Sequence, residues 1–465
     1  MTMKAWEREK EILYGSIPVE FEDENSVVWE EAASGPEELS DMLAKMHWRS
    51  NTPGSKARES IMTAAIQSVE NKGMTVENTD ELLDEGFRAL ESNDMVALHK
   101  ATIRVMEACE NAVKDESSDY WDQTFYDSFE DYAKAVKFPE RKKVTFDDEF
   151  ISRQHAGWLA QIIGGAYGTC IEGYVTDNIM KAYGVVDRYI RKPHTYNDDI
   201  TYELALLCAY DEFGKETTSK NIADEWVARI PMGWSAEDIA LTNLKAGIKP
   251  PESGRFNNPF NEWIGAQMRG VVCGQIYPGD PFMAAKCAWQ DAEISHARNG
   301  ILGEVFNAVM ASMAFCGSDI RKIITDAVEL IPADSEYGKV VRFALEQCRT
   351  HDDYMDAWRP CEKKYDHYNW IHAYPNACAE IIALWYGELD FTKTLTVCGM
   401  CGQDVDCNAA QIITIVAIIT GLEDIPEYWR KPIGDELDTY VRGMKKMSIA
   451  ELGRWTAEIA RKLAD

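Results

Sequence analysis

The chain has 465 residues, 46% of them hydrophobic and 11% aromatic, which is enough for one large or two ordinary domains with a sizeable core. Its net charge of −30, without any run of Lys and Arg, argues against proteins that bind the nucleic-acid backbone or an anionic membrane surface. No apolar run reaches the ~18 residues of a membrane span, and no apolar segment follows Met1–Arg8 as a secretory signal requires.

The first 148 residues are predicted to be helical. Apolar residues recur there at a spacing close to 3.6, and Ser92 and Asp94 are suitable helix caps. No reactive residues in this region stand at a catalytic spacing. We therefore predict an accessory helical region, which could also present a surface to a protein partner. The predicted helices are Glu37–His47, Ala57–Asn71, Thr79–Glu91 and Asn93–Lys114.

Residues 149–465 are predicted to form a larger helical domain, joined to the first region through Pro139–Asp148. Helical stretches alternate with turns rich in Gly, Pro and Asn, and Gly247–Pro259 is predicted to be a loop. The period-two alternation of strands and the strand–helix alternation of a Rossmann sheet are both missing, so the predicted fold class is all-α. The clearest helices are His155–Tyr174, Pro281–Gln290, Gly300–Phe315, Asp319–Leu330, Tyr337–Arg349 and Asn376–Trp385.

The twelve cysteines indicate the redox compartment. Most stand in apolar surroundings, as Cys208 does, which is typical of reduced, buried thiols in a cytoplasmic protein. Cys398 and Cys401 form a CxxC pair, but without a second pair or a strand–helix context this gives little support for zinc or redox chemistry. We predict a cytoplasmic protein without a disulfide framework.

The first acidic motif is Asn197-Asp198-Asp199, which comes directly before the apolar stretch Ile200–Tyr210. Asn is a good N-cap and acids in the first turn offset the positive helix end, so capping explains this motif when it is taken alone. Two adjacent acids at a helix start can also direct oxygen atoms toward one metal ion or two.

The second acidic motif is Asp404-Val405-Asp406-Cys407-Asn408, which follows the glycines Gly399 and Gly402 and precedes the apolar stretch Ala409–Thr420. A simple turn entering a helix is one interpretation, and the full EF-hand pattern is absent. Four carboxylates gathered at two helix starts form a hard-oxygen cluster that suits Mg²⁺ or Mn²⁺ better than a soft metal.

Three further segments contain candidate residues. The Gly-rich stretch that ends at Glu172 is explained by close helix packing, apart from Glu172 itself. The polar stretch Ser295–Gly300 between two helices and the later segment Trp370–Asn376 each contain one histidine, and a lone histidine is more often structural. As candidate contacts to a ligand we include Ser295, His296, Asn299, Gly300, His372, Asn376 and Gly402.

Taken together, these segments resemble the ADP-ribosylglycohydrolase family, which includes the ADP-ribosyl-acceptor hydrolases and the dinitrogenase-reductase-activating glycohydrolases. The resemblance covers roughly residues 150–465, and five pieces occur in the order of the family. These are Gly164–Glu172, Asn197–Asp199, Ile264–Gln267 with the later Pro278–Pro281, Ser295–Gly300 and Gly402–Cys407.

The resemblance implies a compact all-α domain with two Mg²⁺ ions in its cleft and an ADP-ribosylated protein or small molecule as substrate. It also implies that Glu172 lies near the metals and the scissile bond. Gly165 stands where many members have Asp, and Asn197 and Cys407 each replace a Thr ligand of the family. The implied metal ligands are Asn197, Asp198, Asp199, Asp404, Asp406 and Cys407.

The implied reaction is hydrolysis of the N- or O-glycosidic bond between ADP-ribose and its acceptor, through an oxocarbenium-like transition state. Asp199 is the first candidate for the base that activates water, with Glu172 and Asp198 as alternatives. The diphosphate would rest on backbone amides and helix N-termini. Two other functions stay open: hydrolysis of another riboside or nucleotide adduct, and binding of ADP-ribose without catalysis.

Overall fold

The computed structural model describes residues 3–18 and 28–464. The predicted regions 1–148 and 149–465 therefore include residues 1–2, 19–27 and 465, which lie outside the described part. The six helices before residue 148 are α1 Ala5–Gly15, α2 Val28–Trp48, α3 Ile61–Asn71, α4 Thr79–Ser92, α5 Met95–Glu110 and α6 Phe129–Ala135.

Seventeen further α-helices follow in the described residues. They are α7 Asp148–Gly168, α8 Thr176–Tyr183, α9 Asp199–Phe213, α10 Ser219–Arg229, α11 Ser235–Lys245, α12 Glu252–Arg255, α13 Val271–Ile276, α14 Pro281–Ala292, α15 Asn299–Ala314, α16 Ile320–Glu329, α17 Glu336–Thr350, α18 Tyr354–Lys364, α19 Ala373–Gly387, α20 Phe391–Cys401, α21 Val405–Thr420, α22 Glu427–Ile433 and α23 Ile449–Ala464. Short 3₁₀ helices occupy Asp119–Trp121, Gly214–Glu216, Gln267–Arg269 and Leu422–Asp424.

The strands are only two or three residues long and form four antiparallel pairs in the described residues. The pairs are β1 Ser50–Asn51 with β2 Arg58–Glu59, β3 Met74–Thr75 with β4 Val113–Lys114, β5 Tyr174–Val175 with β6 Gly402–Gln403, and β7 Glu436–Asp438 with β8 Lys446–Ser448. The prediction of an all-α protein is confirmed. Where the structure describes the chain, no helix has the length and apolar character needed to cross a membrane.

Helix boundaries differ from the sequence predictions where caps or strand pairing intervene. The predicted helix Ala57–Asn71 begins only at Ile61, because the residues just before it pair as β2. The predicted helix His155–Tyr174 begins earlier, after the cap Asp147, and ends at Gly168. The predicted loop Gly247–Pro259 includes the short helix α12. Strand pairing over such short distances leaves no period-two pattern in the sequence.

Two hydrophobic cores support the fold. The larger is built mainly from helices between α7 and α23, with Tyr132 of α6 also buried in it, and several of these helices, such as α15 and α21, are buried on almost every side. The smaller is built from helices α2 to α5 around Trp48, Ile66 and Leu98. Phe260 and Trp263 from the second region also pack into this smaller core. The N-terminal helices are therefore attached to the larger domain by shared apolar packing.

The packing of α7 against α21 determines where the acidic motifs lie. A Cβ atom at Gly164 would stand 2.6 Å from the backbone of Ala409 and Ala410, and one at Gly168 would stand 2.2 Å from the amide nitrogen of Asp406. The two backbones can approach this closely only because glycine lacks a side chain. The contact brings the end of α7, just before Glu172, beside the start of α21.

Replacing Gly168 with Ala is expected to destabilise the protein by about 1–3 kcal/mol, because the added methyl group overlaps the backbone of α21. Urea unfolding followed by circular dichroism measures the change. Gly35→Ala is the matched control, because a Cβ atom there meets no atom within 4 Å. Equal unfolding midpoints for the two variants would show that α7 can move away from α21 at little cost.

Candidate active site

Asn197, and not the acids beside it, caps the start of α9. Its side-chain Oδ1 accepts a hydrogen bond of 2.7 Å from the backbone amide of Asp199, while Asp198 at the N-cap position makes no capping bond within the described structure. Capping therefore explains Asn197 but leaves the carboxylates of Asp198 and Asp199 available. The Asn197 amide group also fills the space beside Gly165, where a Cβ atom would come within 2.8 Å of its Nδ2.

The second acidic motif begins α21 and is held by Asn376. The backbone amide of Asp404 donates to Asn376 Oδ1 at 3.0 Å, and Asn408 Nδ2 donates to the same oxygen at 2.7 Å. Asn376 Nδ2 in turn donates to the backbone carbonyls of Trp370 and His372, both at 2.8 Å. Asn376 thus fixes the turn that carries Asp404.

Glu172 reaches the same place from the end of α7. Its neighbour Gly173 donates to the carbonyl of Gln403 at 2.8 Å, and the pairing of Val175 with Gly402 continues this link. The Glu172 carboxyl group is buried and shares a hydrogen bond with the carboxyl group of Asp406. The tertiary structure therefore brings the two predicted acidic motifs and Glu172 into one cluster.

Burial and mutual repulsion perturb these carboxyl groups. Burial is the largest cause that raises the pKa of Glu172, Asp199 and Asp404 well above the ordinary values, and nearby carboxylates raise it further. Asp198 retains exposed surface, yet protein atoms surround its carboxyl group closely, and this burial followed by the charge of Asp406 raises its pKa to about 6. Such a cluster is stable in its charged form only beside a cation.

The donor set fits a hard divalent metal ion. Asp199 Oδ2 and Asp406 Oδ1 are buried and have no hydrogen-bond partner among the described residues. Asp404, Asp406 and Cys407 offer ligand atoms that lie within 4.8 Å of one another. Carboxylate oxygens at this spacing suit Mg²⁺ or Mn²⁺.

Cys407 has a contact that bears on its predicted role as a metal ligand. Its thiol donates a hydrogen bond of 3.2 Å to Asp199 Oδ1, and burial raises the pKa of this thiol well above its usual value. A protonated thiol is a poor ligand for Mg²⁺ because metal coordination requires the thiolate. In this arrangement Cys407 orients the carboxylate of Asp199.

The structure places Ser295 and His296 in a separate buried polar cluster. Arg269 Nη2 donates to Ser295 Oγ at 3.0 Å, and Ser295 Oγ lies 2.8 Å from His296 Nδ1. Burial, followed by the charge of Arg269, lowers the pKa of His296 well below its usual value, so this imidazole is neutral. Both side chains are fully buried, and the hydrogen bonds described for them are made within the protein.

Asn299 joins the N-terminal region to the larger domain, whereas Gly300 packs within the larger domain. Asn299 Nδ2 donates to Glu262 Oε1 and to Gln123 Oε1, both at 3.1 Å, while Gly300 packs on the backbone of Asn261. The predicted role of these residues in substrate binding stays a prediction. His372 is likewise buried, and its Nδ1 caps α19 by accepting from the backbone amide of Tyr374 at 3.3 Å.

Sequence reasoning gave no role to two residues at the site, Asn408 and Gly54. Asn408 shares the side-chain oxygen of Asn376 with Asp404, and Gly54 comes from the N-terminal region to lie against Glu172. Asn408 is the last residue of the second acidic motif, which is the local signal available for it. Gly54 stands in no recognisable motif and gives no such signal.

Comparison with known proteins identifies the family. The family model described as ADP-ribosylglycohydrolase matches residues 147–464, which is more than half of the chain. The chain belongs to the ADP-ribosylglycohydrolase family. This confirms the predicted resemblance and the prediction of a hydrolase of the glycosidase class, and the family is in general metal-dependent. The acid cluster of Glu172, Asp198, Asp199, Asp404 and Asp406 lies wholly inside the matched residues.

A solved structure supports the same fold. A chain titled "ADP-ribosylglycohydrolase-related protein complex" aligns over 68% of this chain and 100% of its own length, with a TM-score of 0.50 and 17% sequence identity. At that identity the likeness concerns the fold alone. A comparison with curated proteins finds no significant match.

The raised pKa values of the cluster predict how metal and pH affect stability. Without divalent ions the folded protein binds more protons at these carboxyls than the unfolded chain, so their contribution to stability falls as pH rises from about 4 through 6 and beyond. Mg²⁺ competes with those protons. It should therefore stabilise the protein more at pH 8 than at pH 5, and at pH 8 a hundredfold excess over its Kd should add about 2.7 kcal/mol of stability for each site.

Thermal unfolding with Mg²⁺ or with EDTA, at matched ionic strength, measures this effect. Matched ionic strength matters because the chain carries a net charge of −30, and salt alone screens its self-repulsion. A Mg²⁺ effect that is equal at both pH values, or that persists in Asp404→Asn, would contradict a metal site at the acid cluster.

Proposed function

We propose that the protein is a Mg²⁺-dependent hydrolase that cleaves the N- or O-glycosidic bond between ADP-ribose and an acceptor, either a protein side chain or a small molecule. The observation that carries the proposal is the meeting of Glu172 with both acidic motifs in one buried cluster inside the residues that match the family. Two buried carboxylate oxygens without a partner among the described residues support a bound cation.

The proposed metal ligands are the carboxylates of Asp198, Asp199, Asp404 and Asp406, with two ions, of Mg²⁺ or alternatively Mn²⁺, as the expected occupancy. The chemistry that such ions supply when bound is Lewis acidity toward a sugar hydroxyl group or a water molecule. The amide oxygen of Asn197 is already used by the backbone of Asp199, and the Cys407 thiol is directed to Asp199. We therefore assign these two residues to positioning Asp199.

The chain's own residues can provide the proton transfers of the reaction. Asp199 is the first candidate to accept a proton from the attacking water, and Cys407 holds its carboxylate in place through Oδ1. Glu172, whose carboxyl group shares a hydrogen bond with Asp406, is the alternative proton carrier. Both groups are buried, which limits access of bulk water to the reacting carbon.

The proposal also includes the cellular location of the protein and a partner for residues 1–148. A cytoplasmic location is supported by the twelve free cysteines, since a reducing compartment keeps such thiols unpaired. A protein partner for residues 1–148 is supported by the exposed apolar side chains of α1, which include Trp6, Leu13 and Tyr14. If α1 serves only to bind a partner, a variant that lacks α1 should retain its glycohydrolase activity.

The test measures release of free ADP-ribose from ADP-ribosyl-arginine and ADP-ribosyl-serine peptides, with Mg²⁺ and with EDTA. We expect release that requires Mg²⁺ and falls roughly 100-fold or more in Asp404→Asn, because a metal ligand is lost. Asp424→Asn is the matched control, since that side chain is exposed and outside the acid cluster. Release from a simpler riboside alone would favour another ribosyl substrate, and binding of ADP-ribose without turnover would favour a non-catalytic protein.

A further inference from the structure

The turn Thr52–Ala57 of the N-terminal region lies against Glu172. It joins β1 to β2 and is closed by its own hydrogen bonds, from the amide of Thr52 to the carbonyl of Ala57 and from the amide of Lys56 to the carbonyl of Thr52, both 2.9 Å. These residues precede the family match, which begins at residue 147. Part of the surroundings of Glu172 is therefore supplied from outside the family domain.

We propose that the Thr52–Ala57 turn is a wall of the active site that limits which acceptor can leave past Glu172. The inference rests on the proposed function, because Glu172 is taken to lie beside the scissile bond. The turn would favour acceptors on a small molecule or a narrow, extended peptide over acceptors on the surface of a folded domain.

Gly54 lies close to both Thr169 and Glu172. A Cβ atom at position 54 would stand 2.0 Å from Thr169 Cγ2 and 2.8 Å from Glu172 Oε1. Any side chain at this position would displace the turn, Thr169 or the Glu172 carboxylate, and a shift of Thr169 also moves the segment that leads to Glu172 three residues later. Gly54 is therefore a positioning residue for Glu172.

The turn is fastened to both sides of the site. The Tyr174 hydroxyl donates to the carbonyl of Ser55 at 3.1 Å, and Arg191 Nη2 donates to the carbonyl of Gly54 at 2.7 Å. Tyr174 follows Glu172 by two residues, and Arg191 precedes the first acidic motif by six. Two consecutive carbonyls of the turn are thus bound by segments that lead into the acid cluster.

The turn is also rigid at its base. Ala57 is buried, and its Cβ would stand 2.6 Å from a Cβ at Gly173. The helix before the hairpin, α2, ends at the fully buried Trp48 in the smaller core. A turn anchored at its base and bound at its tip does not move aside easily, so it restricts the shape of the acceptor.

The experiment compares the full-length protein with a variant whose turn is shortened. Residues 52–57 are replaced by Asn-Gly, a two-residue hairpin turn that can join Asn51 to its partner Arg58. The substrates carry the same ADP-ribosyl linkage on a short peptide and on a folded domain, and kcat and KM are measured with Mg²⁺. We expect the ratio of kcat/KM for the folded domain to that for the peptide to rise about 10-fold or more.

A second variant, Gly54→Ala, tests the same contact in case the shortened turn does not fold. We expect its kcat to fall roughly 10-fold or more on both substrates with KM little changed, because a small displacement of Glu172 is costly. Gly35→Ala is the control, since a Cβ atom there meets no atom within 4 Å. Circular dichroism and thermal unfolding confirm that each variant is folded.

The outcomes separate the two proposals. If the wild-type protein releases ADP-ribose but the folded, shortened variant keeps the wild-type substrate ratio, the turn is not a specificity wall and the proposed function stands. An unchanged kcat in Gly54→Ala would overturn the positioning of Glu172 in the same way. If neither the wild-type protein nor any variant releases ADP-ribose from either substrate, the proposed function is overturned and the role of the turn falls with it.

Discussion

Glu172→Gln is expected to lower kcat for release of ADP-ribose by roughly 100-fold or more, because the amide keeps the size of Glu172 but cannot carry a proton. KM and the affinity for Mg²⁺ should change little, since the proposed metal ligands remain. The metal-free variant should be slightly more stable than the wild-type protein. Its neutral amide removes one of the buried carboxyl groups that raise each other's pKa.

Steady-state kinetics and thermal unfolding measure the two effects on the same sample. Glu458→Gln, at an exposed position on the last helix, is the matched control. A variant with unchanged kcat would remove Glu172, the alternative proton carrier, from the chemistry and would favour Asp199, the first candidate base. A loss of Mg²⁺ binding together with kcat would instead indicate that Glu172 supports the metal site.

Arg269→Met is expected to destabilise the protein by about 3–5 kcal/mol, because it leaves buried carboxylates without their cation. Arg269 is fully buried, with Glu237 3.0 Å away, Glu304 3.6 Å away and Asp291 hydrogen-bonded to its Nε. Its guanidinium also lies over the ring of Trp226. The positive charge of Arg269 thus compensates three buried acids. The apolar side chain of Met does not supply that charge.

The pH dependence of this loss gives a second test. Burial raises the pKa of Glu237 to about 7 although Arg269 lowers it, so removal of Arg269 must raise that pKa further. Protonation then neutralises the acids in the folded variant, and the destabilisation should be smaller at pH 5 than at pH 8.

Urea unfolding at both pH values measures the difference between Arg269→Met and the wild-type protein. Arg49→Met is the control, since Arg49 is exposed and lies 3.5 Å from Glu91, a pair expected to contribute no more than about 1 kcal/mol. A loss as small as that of the control, or a loss independent of pH, would mean that the buried acids are already neutral beside Arg269.

Local patterns in the sequence were sufficient for the fold class and for the acids of the site. The near absence of period-two alternation predicted an all-α protein, because strands of two or three residues are too short to leave that pattern. The acidic motifs were visible because each stands directly before a long apolar helix. Local patterns did not predict helix boundaries such as the start of α3, because pairing between β1 and β2 competes there with helical propensity.

The hydrogen-bond partners of the polar candidate residues could not be predicted from local sequence patterns. Ser295 and His296 stand in a polar turn, which in sequence looks suited to a ligand, but Arg269 lies 26 residues before Ser295 in the chain and binds its hydroxyl group. Asn299 similarly bonds with Gln123 of the N-terminal region. A polar residue shows its hydrogen-bonding capacity in the sequence, whereas its partner depends on packing.

The sequence by itself determined that this is an all-α protein with acidic motifs at two helix starts, because helical periodicity and capping positions are encoded within a few neighbouring residues. Only the tertiary structure decided that those motifs meet Glu172 and that Gly54 lies against its carboxylate. The second acidic motif and Gly54 each lie more than a hundred positions from Glu172 in the chain, and the first motif lies 25 positions from it. They arise from the close packing of α7 on α21 and from the attachment of the N-terminal helices, which no local pattern specifies.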